Sequence, residues 1–267
     1  MIEIHPTAIV ENGFQAADGV KIGPYCIVGP DVVLREGVQL RSHVIVSGRT
    51  TIGAGTVVYP FASVGEPPQD IGYRDEPTET VVGEKCTIRE QVTIHRGTVR
   101  GKKRTTVGDN CFLMVGSHVA HDCVLGNNVT MVNHATIGGH VEIGDFAILG
   151  GLSAVQQRVR IGASAFVGGH SGIVGDLIPF GIGVGRGARL GGLNIVGLKR
   201  RGFDRPTIHA IRAAYRTLFF GAIGSLSERL DQVAGEYADV APVMQIVTFI
   251  RAGDGTALCV PRDENGD

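Results

Sequence analysis

Large aliphatic residues recur at every sixth position through most of the chain. Eleven positions spaced by six between Ile4 and Val64 hold Ile, Leu or Val, with one Ala at 16. Twelve positions between Val107 and Ile173 follow the same step without exception, and Val82, Ile88 and Ile94 keep it in between. The apolar face of an α-helix recurs every ~3.6 residues, so a period of six excludes long helices and predicts short strands joined by turns.

Each hexad is predicted to be a short, flat strand followed by a corner. A glycine follows many of the aliphatic residues, as in Ile22-Gly23, Ile52-Gly53 and Ile161-Gly162. The chain has 40 Gly in 267 residues and no Trp, so its core has to consist of small and branched aliphatic side chains. We expect three such sides to close one coil of about 18 residues, with coils stacked at roughly 4.8 Å, the spacing of hydrogen-bonded strands. The sequence therefore predicts a parallel β-helix.

Two polar stretches interrupt the repeat, and a different pattern follows it. Residues 66–80 and 97–104 are predicted to be loops projecting from the coils, where long loops often carry function. We predict a β-helix domain over 1–197 and a small helical domain over 198–267. Asp204 with Pro206 predicts a cap and first turn before an apolar run from Ile208 to Phe220. A second helical run is predicted from near Ser225 past Val243, and a frayed polar tail from Gly253.

Composition narrows the class of function. Charged residues make up 19% of the chain and the net charge is −1, which argues against a nucleic-acid partner. Five cysteines occur without a CxxC pair, a pattern typical of free thiols in a reducing compartment. No secretory signal or apolar run of ~20 residues is present, so we expect a cytoplasmic protein without a membrane-spanning segment.

Repeat arithmetic places several histidines on one edge of the predicted β-helix. If residues 97–104 are an insertion, Ile94, Val119, Ile137 and Val155 form one column. The polar residues and glycines beside this column are His95, His118, His121, Gly139, His140, Gln156 and Gln157.

His121 is the best candidate for a general base. Imidazole titrates near neutral pH, and the neighbouring Asp122 can orient the ring. Gly139, 18 positions after His121, offers a backbone N–H of the kind that stabilises an oxyanion. A zinc site formed by histidines of neighbouring coils is an alternative. The run Lys199-Arg200-Arg201 is interpreted either as a diphosphate clamp, with help from Asn194, or as a solvated junction.

Four motifs resemble the UDP-N-acetylglucosamine O-acyltransferase family: VTIHRGT at 92–98, HVAHDC at 118–123, QD at 69–70 and NIVGLKRRGF at 194–203. The resemblance implies a left-handed β-helix and a homotrimer with active sites between subunits. It also implies transfer of an (R)-3-hydroxyacyl chain from acyl carrier protein to the 3-position of UDP-N-acetylglucosamine, in the first step of lipid A biosynthesis. No metal or cofactor is implied.

The resemblance also assigns roles to individual positions. His121 matches the general base, Asp122 its partner and Gly139 the oxyanion donor. The positions that match residues around the sugar and reacting centre are Gln69, Asp70, His95, His118 and His140. Those that match the nucleotide-contacting side are Gln157, Asn194, Arg200 and Arg201. Gly169 matches a position where a small residue leaves the acyl groove open, which implies a chain longer than ten carbons.

Three positions depart from the family pattern. Well-known members carry Lys where this chain has Gly72, His where it has Gln156, and Glu where it has Val196. One hypothesis is therefore an acceptor sugar with a 3-amino group in place of the 3-hydroxyl. A zinc-dependent hydratase resembling γ-type carbonic anhydrases is a second hypothesis, and a trimeric scaffold without catalysis is a third.

Overall fold

The repeat folds into three parallel sheets that form the sides of a triangular prism. The computed structural model describes residues 1–253 and 255–261. Within them, face A has the strands Glu3–Ile4, Lys21–Ile22, Gln39–Leu40, Val57–Val58, Thr87–Ile88, Phe112–Leu113, Thr130–Met131, Ile148–Leu149, Phe166–Val167, Gly181–Val184 and Arg189–Leu193. Face B has Ile9–Val10, Ile27–Val28, Ile45–Val46, Ser63–Glu66, Thr93–His95, His118–Val119, Thr136–Ile137, Ala154–Val155 and Gly172–Ile173. Face C has Gln15–Ala16, Val33–Leu34, Arg49–Ile52, Glu79–Val82, Arg104–Val107, Val124–Leu125, Glu142–Ile143 and Arg160–Ile161.

Strand register follows the 18-residue step. Val119 pairs with Ile137, and Ile137 pairs with Val155, one coil further on. Ile94 pairs with Val119 although 25 positions separate them, because residues 96–103 form a loop outside the coil. The predicted loop bounds were too wide, since Glu66, Glu79, Thr80 and Arg104 already pair in strands. The predicted column on face B is confirmed. The prism ends where Gly181–Val184 and Arg189–Leu193 pair antiparallel, which the repeat did not predict.

From the second coil onward, the core consists of the aliphatic residue of each hexad and the residue two positions before it, whereas Ile4 in the first coil is exposed. Val119 and Ile137 are fully buried, and so are Cys26, Val44 and Thr56 from the preceding inward positions. All five cysteines are buried and unpaired. Because neighbouring coils interdigitate here, truncation of one such Leu or Ile to Ala costs about 2–5 kcal/mol.

Glycine at a corner leaves room for the backbone of the neighbouring coil. A Cβ on Gly53 would lie 2.4 Å from the carbonyl carbon of Gly83 in the next coil. Left-handed backbone at the corners is adopted both by residues with side chains, such as Tyr25 and His43 with φ of 57°, and by some glycines, such as Gly37 with φ of 66°. The glycines that follow the aliphatic residues are thus required by close approach between coils.

In the part of the chain that the structure describes, four helices follow the prism: α1 (Ile195–Arg200), α2 (Arg205–Phe220), α3 (Leu226–Glu236) and α4 (Ala241–Arg251). Asp204 caps α2 by accepting from Thr207 N at 2.9 Å, and Ser225 forms a capping box at α3. The prediction of a single second helical run was wrong, because residues 237–240 separate α3 from α4. Pro242 in the first turn of α4 cannot supply the N–H that a continuous helix needs.

The segment after α4 returns to the end of the prism. Asp176 N donates to Ala257 O at 2.7 Å, and Cys259 N donates to Asp176 O at 2.8 Å. The prediction of a frayed tail from Gly253 was wrong for these residues, since Cys259 is buried. Asp254 and residues 262–267, including the end of the predicted helical domain, lie outside the described residues. No helix in the described part of the chain is long and apolar enough to cross a membrane.

Candidate active site

His121 and Asp122 form a hydrogen-bonded pair at the corner between faces B and C. His121 Nδ1 lies 2.9 Å from Asp122 Oδ2. The corner gives Asp122 a φ of 59°, which turns its side chain toward the preceding residue and the loop at 97–104. With its Nδ1 hydrogen donated to the carboxylate, the imidazole keeps a lone pair on Nε2, the arrangement that a general base requires.

Asp122 is a buried and fully hydrogen-bonded carboxylate. Thr98 donates its backbone N–H at 3.1 Å to both carboxylate oxygens and its hydroxyl at 2.6 Å to Oδ2. Burial of the Asp122 carboxyl opposes ionisation, but the hydrogen bonds from His121 and Thr98 outweigh it and lower the pKa to about 2. Asp122 is therefore ionised at neutral pH.

Gly139 and His140 lie one coil above His121. A Cβ built on Gly139 would fall 2.5 Å from His121 Cε1 and 2.6 Å from Nε2, so only glycine fits beside the ring. Gly139 N–H donates to no acceptor among the described residues. The His140 ring stands at 90° to that of His121, with centroids 5.1 Å apart, and its Nδ1 lies 3.9 Å from Asp122 Oδ2. The predicted adjacency of His121 and Gly139 is present.

His95 and His118 form a second imidazole pair in the coils below. Their ring centroids are 5.0 Å apart, and His118 Nδ1 lies 2.7 Å from Thr93 Oγ1. Burial lowers the pKa of His95 to about 4, with smaller contributions from the charges of His118 and His121. Burial also lowers the pKa of His118 and of His140. These three rings are therefore neutral at pH 7 and act as hydrogen-bonding groups there.

The remaining predicted residues on this side lie in loops and higher coils. Asp70 Oδ1 accepts from Gly72 N at 2.8 Å, while Gln69 is exposed. Gln157 lies one coil above Gly139, with its backbone N 2.8 Å from a Cβ built on Gly138. Gly169 does not lie on this side: it is at the corner between faces A and B, where it is exposed and a Cβ built on it would meet only Gly151 O at 3.3 Å.

Asn194, Arg200 and Arg201 lie at a different corner, between faces C and A. Asn194 caps α1 by accepting from Gly197 N at 2.9 Å, and its Nδ2 donates to Ser164 O at 3.0 Å. Arg201 donates to Ser164 Oγ and stacks on Phe146, with its Cζ 3.8 Å from the ring centroid. The structure does not bring these residues to the histidines of the same chain, because face C separates the two corners.

Sequence reasoning missed Thr98, the residue that fixes Asp122. Thr98 stands in the inserted loop, where the six-residue step gives no register. The available signal was indirect: a buried carboxylate beside a loop needs donors from that loop. Thr105, which accepts from Asp122 N at 2.8 Å, was also missed, although it lies in a face C strand two positions before Val107: the six-residue step places its side chain inward but does not reveal this hydrogen bond.

The composition of the cluster also suits a metal ion. Single ligand atoms of His121, Asp122 and His140 all lie within 4.8 Å of one another. The carboxylate oxygen nearest to both rings already accepts hydrogen bonds from Thr98 and His121. A metal would have to displace these donors, so the geometry fits a base and its orienting carboxylate better.

Comparison with known proteins identifies the family. A model of bacterial transferase hexapeptides (six repeats) matches residues 104–139, and a model of UDP N-acetylglucosamine O-acyltransferase, domain 2, matches residues 176–257. An acyl-[acyl-carrier-protein]–UDP-N-acetylglucosamine O-acyltransferase of Azorhizobium caulinodans is 55% identical over 259 residues, which cover 97% of this chain and 95% of that protein. The chain belongs to the UDP-N-acetylglucosamine O-acyltransferase family. The same enzyme of Rhizobium johnstonii is 49% identical over 97% of this chain and 94% of its own length.

Solved structures of this family share the fold. LpxA, the UDP-N-acetylglucosamine O-acyltransferase of Moraxella catarrhalis, superposes with a TM-score of 0.92 at 38% identity, covering 96% of this chain and 99% of its own. LpxA of Acinetobacter baumannii gives a TM-score of 0.91 at 36% identity, covering 97% and 99%. The predicted fold class, a left-handed parallel β-helix followed by a helical C-terminal part, is confirmed, and so is the acyltransferase family.

Proposed function

We propose that this chain transfers an (R)-3-hydroxyacyl group from acyl carrier protein to the 3-hydroxyl of UDP-N-acetylglucosamine, the first step of lipid A biosynthesis. The observation that carries the proposal is the arrangement of His121, Asp122 and Gly139 in a member of this family. A base with an oriented lone pair lies beside a backbone N–H that has no acceptor among the described residues.

The proposed reaction needs no covalent enzyme intermediate. His121 Nε2 removes the proton of the sugar hydroxyl, whose oxygen attacks the thioester carbonyl. Gly139 N–H stabilises the oxyanion of the tetrahedral intermediate. The intermediate collapses, the C–S bond breaks, and the carrier thiolate takes up the proton from the His121 imidazolium. Asp122 stays ionised throughout and stabilises that imidazolium.

We propose that the neutral rings around the base bind the sugar, together with the loop residues. His95, His118 and His140 can each donate or accept one hydrogen bond to a hydroxyl or acetamido group. Gln69 and Asp70 stand on the loop that borders the cluster, and Gln157 lies in the coil above it.

A second copy of the chain is proposed to complete the site. Asn194, Arg200 and Arg201 lie at a corner that face C separates from the histidines, so one chain alone does not offer both groups to one substrate. A homotrimer whose clefts join the two corners would bring the nucleotide side of one subunit to the base of the next. Gly169, exposed at the corner between faces A and B, is proposed to border the acyl groove of the assembled trimer and to admit a chain longer than ten carbons.

Within this activity, the main alternative concerns which nucleophile of the acceptor sugar is acylated. Gly72, Gln156 and Val196 differ from well-known members at substrate-facing positions. A 3-amino sugar is the second candidate acceptor, and the same base and oxyanion donor would serve its acylation. Free, buried thiols fit the reducing cytoplasm as the compartment of the reaction.

One assay tests the proposal. Purified protein is incubated with UDP-N-acetylglucosamine or its 3-amino analogue and a series of 3-hydroxyacyl carrier protein thioesters, and products are identified by mass spectrometry. We expect O-acylated UDP-N-acetylglucosamine and faster turnover of chains longer than ten carbons. A clear preference for the amino sugar would identify that sugar as the acceptor in place of UDP-N-acetylglucosamine. Absence of acylated product with every donor would refute the activity. Metal analysis of the same preparation distinguishes the acyltransferase from the zinc hydratase alternative, because the hydratase requires bound zinc.

A further inference from the structure

A small cavity borders His140 on the side of face C. Its volume is about 280 Å³, below the ~300–1,000 Å³ of pockets that enclose a whole small molecule. It can therefore hold one group of a larger substrate. The residues that line it are Arg100, Gly101, Lys102, His140, Glu142, Arg158 and Arg160.

Two of the four cations in this cavity are neutralised by the protein. Lys102 Nζ lies 2.5 Å from Glu142 Oε1, and Arg160 Nη2 lies 2.5 Å from Asp176 Oδ2. Arg100 and Arg158 form no ion pair or side-chain hydrogen bond with any residue that the structure describes. The cavity thus presents two guanidinium groups without an ion pair among the described residues, with Asp70 Oδ1 and Arg100 Nη1 each 3.2 Å from a Cβ built on Gly72.

Arg100 covers the place left open by Gly72. Its Nη1 lies 3.2 Å, and its Cζ 3.6 Å, from a Cβ built on Gly72. Arg100 thus brings a positive charge from the inserted loop that follows face B to the loop that contains Gly72. Gly101, the next residue, lies against the Asp122 carboxylate, which holds Arg100 close to the catalytic pair.

Arg158 occupies the same corner one coil above His140. Its backbone N donates to Gly139 O at 3.0 Å, so its main chain is fixed directly above the oxyanion donor. Burial is the largest cause of the lowered His140 pKa, and the charges of Arg158 and Lys102 contribute in the same direction. These charges therefore reach the His140 ring at the edge of the cavity.

We infer that Arg100 and Arg158 form a subsite that binds a phosphate group of a substrate beside His140. Guanidinium groups match phosphate oxygens through paired N–H donors, and two unpaired cations balance a charge of −1 to −2. The inference rests on the proposed function, in which both substrates carry phosphate: the diphosphate of the nucleotide sugar and the phosphodiester of the carrier's pantetheine arm.

The test uses the double variant R100Q/R158Q, with R100K/R158K to restore charge and Lys103→Gln as a control on the same loop. Lys103 is exposed and lies outside the cavity lining. The Michaelis constants for UDP-N-acetylglucosamine and for the acyl carrier thioester are measured separately at low and high salt. Binding of acyl-phosphopantetheine is compared with that of acyl-pantetheine, which lacks the phosphate.

We expect the KM of one substrate to rise about 10–100-fold in R100Q/R158Q, with partial recovery in R100K/R158K and no change in Lys103→Gln. A rise confined to UDP-N-acetylglucosamine assigns the subsite to the diphosphate. A rise for the carrier thioester, with loss of the difference between phosphopantetheine and pantetheine, assigns it to the donor. An active wild type with unchanged constants in R100Q/R158Q would overturn the subsite alone, whereas an inactive wild type would overturn the proposed function.

Discussion

His121 and Gly139 are 18 residues apart in sequence and one coil apart in space, with the His121 Cε1 atom 2.5 Å from where a Cβ on Gly139 would lie. The contact exists because each coil of the prism uses three hexads, which return the chain to the same corner after 18 residues. It brings a candidate base next to a backbone donor without any long-range motif in the sequence.

Substitution of Gly139 by Ala should remove activity and leave the fold intact. The added methyl group would overlap the His121 ring and displace either the base or the N–H donor. We expect kcat to fall on the order of 10²–10³-fold, as for loss of an oxyanion donor. Gly172→Ala on the same face is the matched control, because its Cβ would meet nothing closer than 3.9 Å. Equal activity of both variants would show that the contact has no catalytic role.

Replacement of Thr98 by Val should remove the hydrogen bond that the inserted loop donates to the Asp122 carboxylate from the Thr98 hydroxyl. The variant loses the hydroxyl donated to a buried carboxylate, which costs about 1–3 kcal/mol of unfolding free energy. We also expect the pKa of Asp122 to rise, since one of the hydrogen bonds that lower it is gone. Urea unfolding and the pH dependence of kcat measure the two effects.

Thr51→Val provides the control for the Thr98 variant. Thr51 is a strand residue on face C outside the candidate site, and the substitution has the same shape change. If both variants lose the same stability, the cost arises from threonine replacement in general and the interpretation of Thr98 is wrong.

Acidification should destabilise the protein in two successive ranges. The pKa of His95 is about 4 in the folded chain against an ordinary 6.5, so the unfolded chain binds more protons between these values and stability falls as pH falls through them. Protonation of Asp122 continues the loss of stability at lower pH, because the pKa of its carboxyl is about 2 in the folded chain against an ordinary 3.8. For His95 alone the loss is on the order of 1–3 kcal/mol.

Urea unfolding at pH 7.0 and at a pH of about 4.5 checks this dependence. His95→Gln should have a smaller difference between the two pH values than the wild type, because the protonation of the buried imidazole is removed. His5→Gln changes an exposed histidine of the first coil and should keep the wild-type difference. A wild type that is equally stable at both values would contradict the burial of neutral His95.

The repeat predicted the strand register at the candidate site, because the six-residue period can be read from the identity of the residue at each position. Inward aliphatic side chains reveal their spacing directly, and the column through Ile94, Val119 and Ile137 follows from it. Thr98 and Arg100 could not be placed this way, since an inserted loop has no period and its path depends on contacts with Asp122 and Gly72.

The end of the chain was harder to predict for a related reason. The break between α3 and α4 and the return of Cys259 to Asp176 depend on tertiary contacts. A polar stretch near a terminus has few local signals, so its hydrogen bonds to the prism are visible only in the folded structure.

The most direct test of the account is the kcat of His121→Ala with 3-hydroxyacyl carrier protein and UDP-N-acetylglucosamine, measured on protein whose thermal unfolding matches the wild type. General-base catalysis predicts a fall of ~10²–10⁴-fold with little change in KM. Turnover at the wild-type rate would contradict the assignment of His121 as the base, and with it the role of the corner that joins it to Gly139.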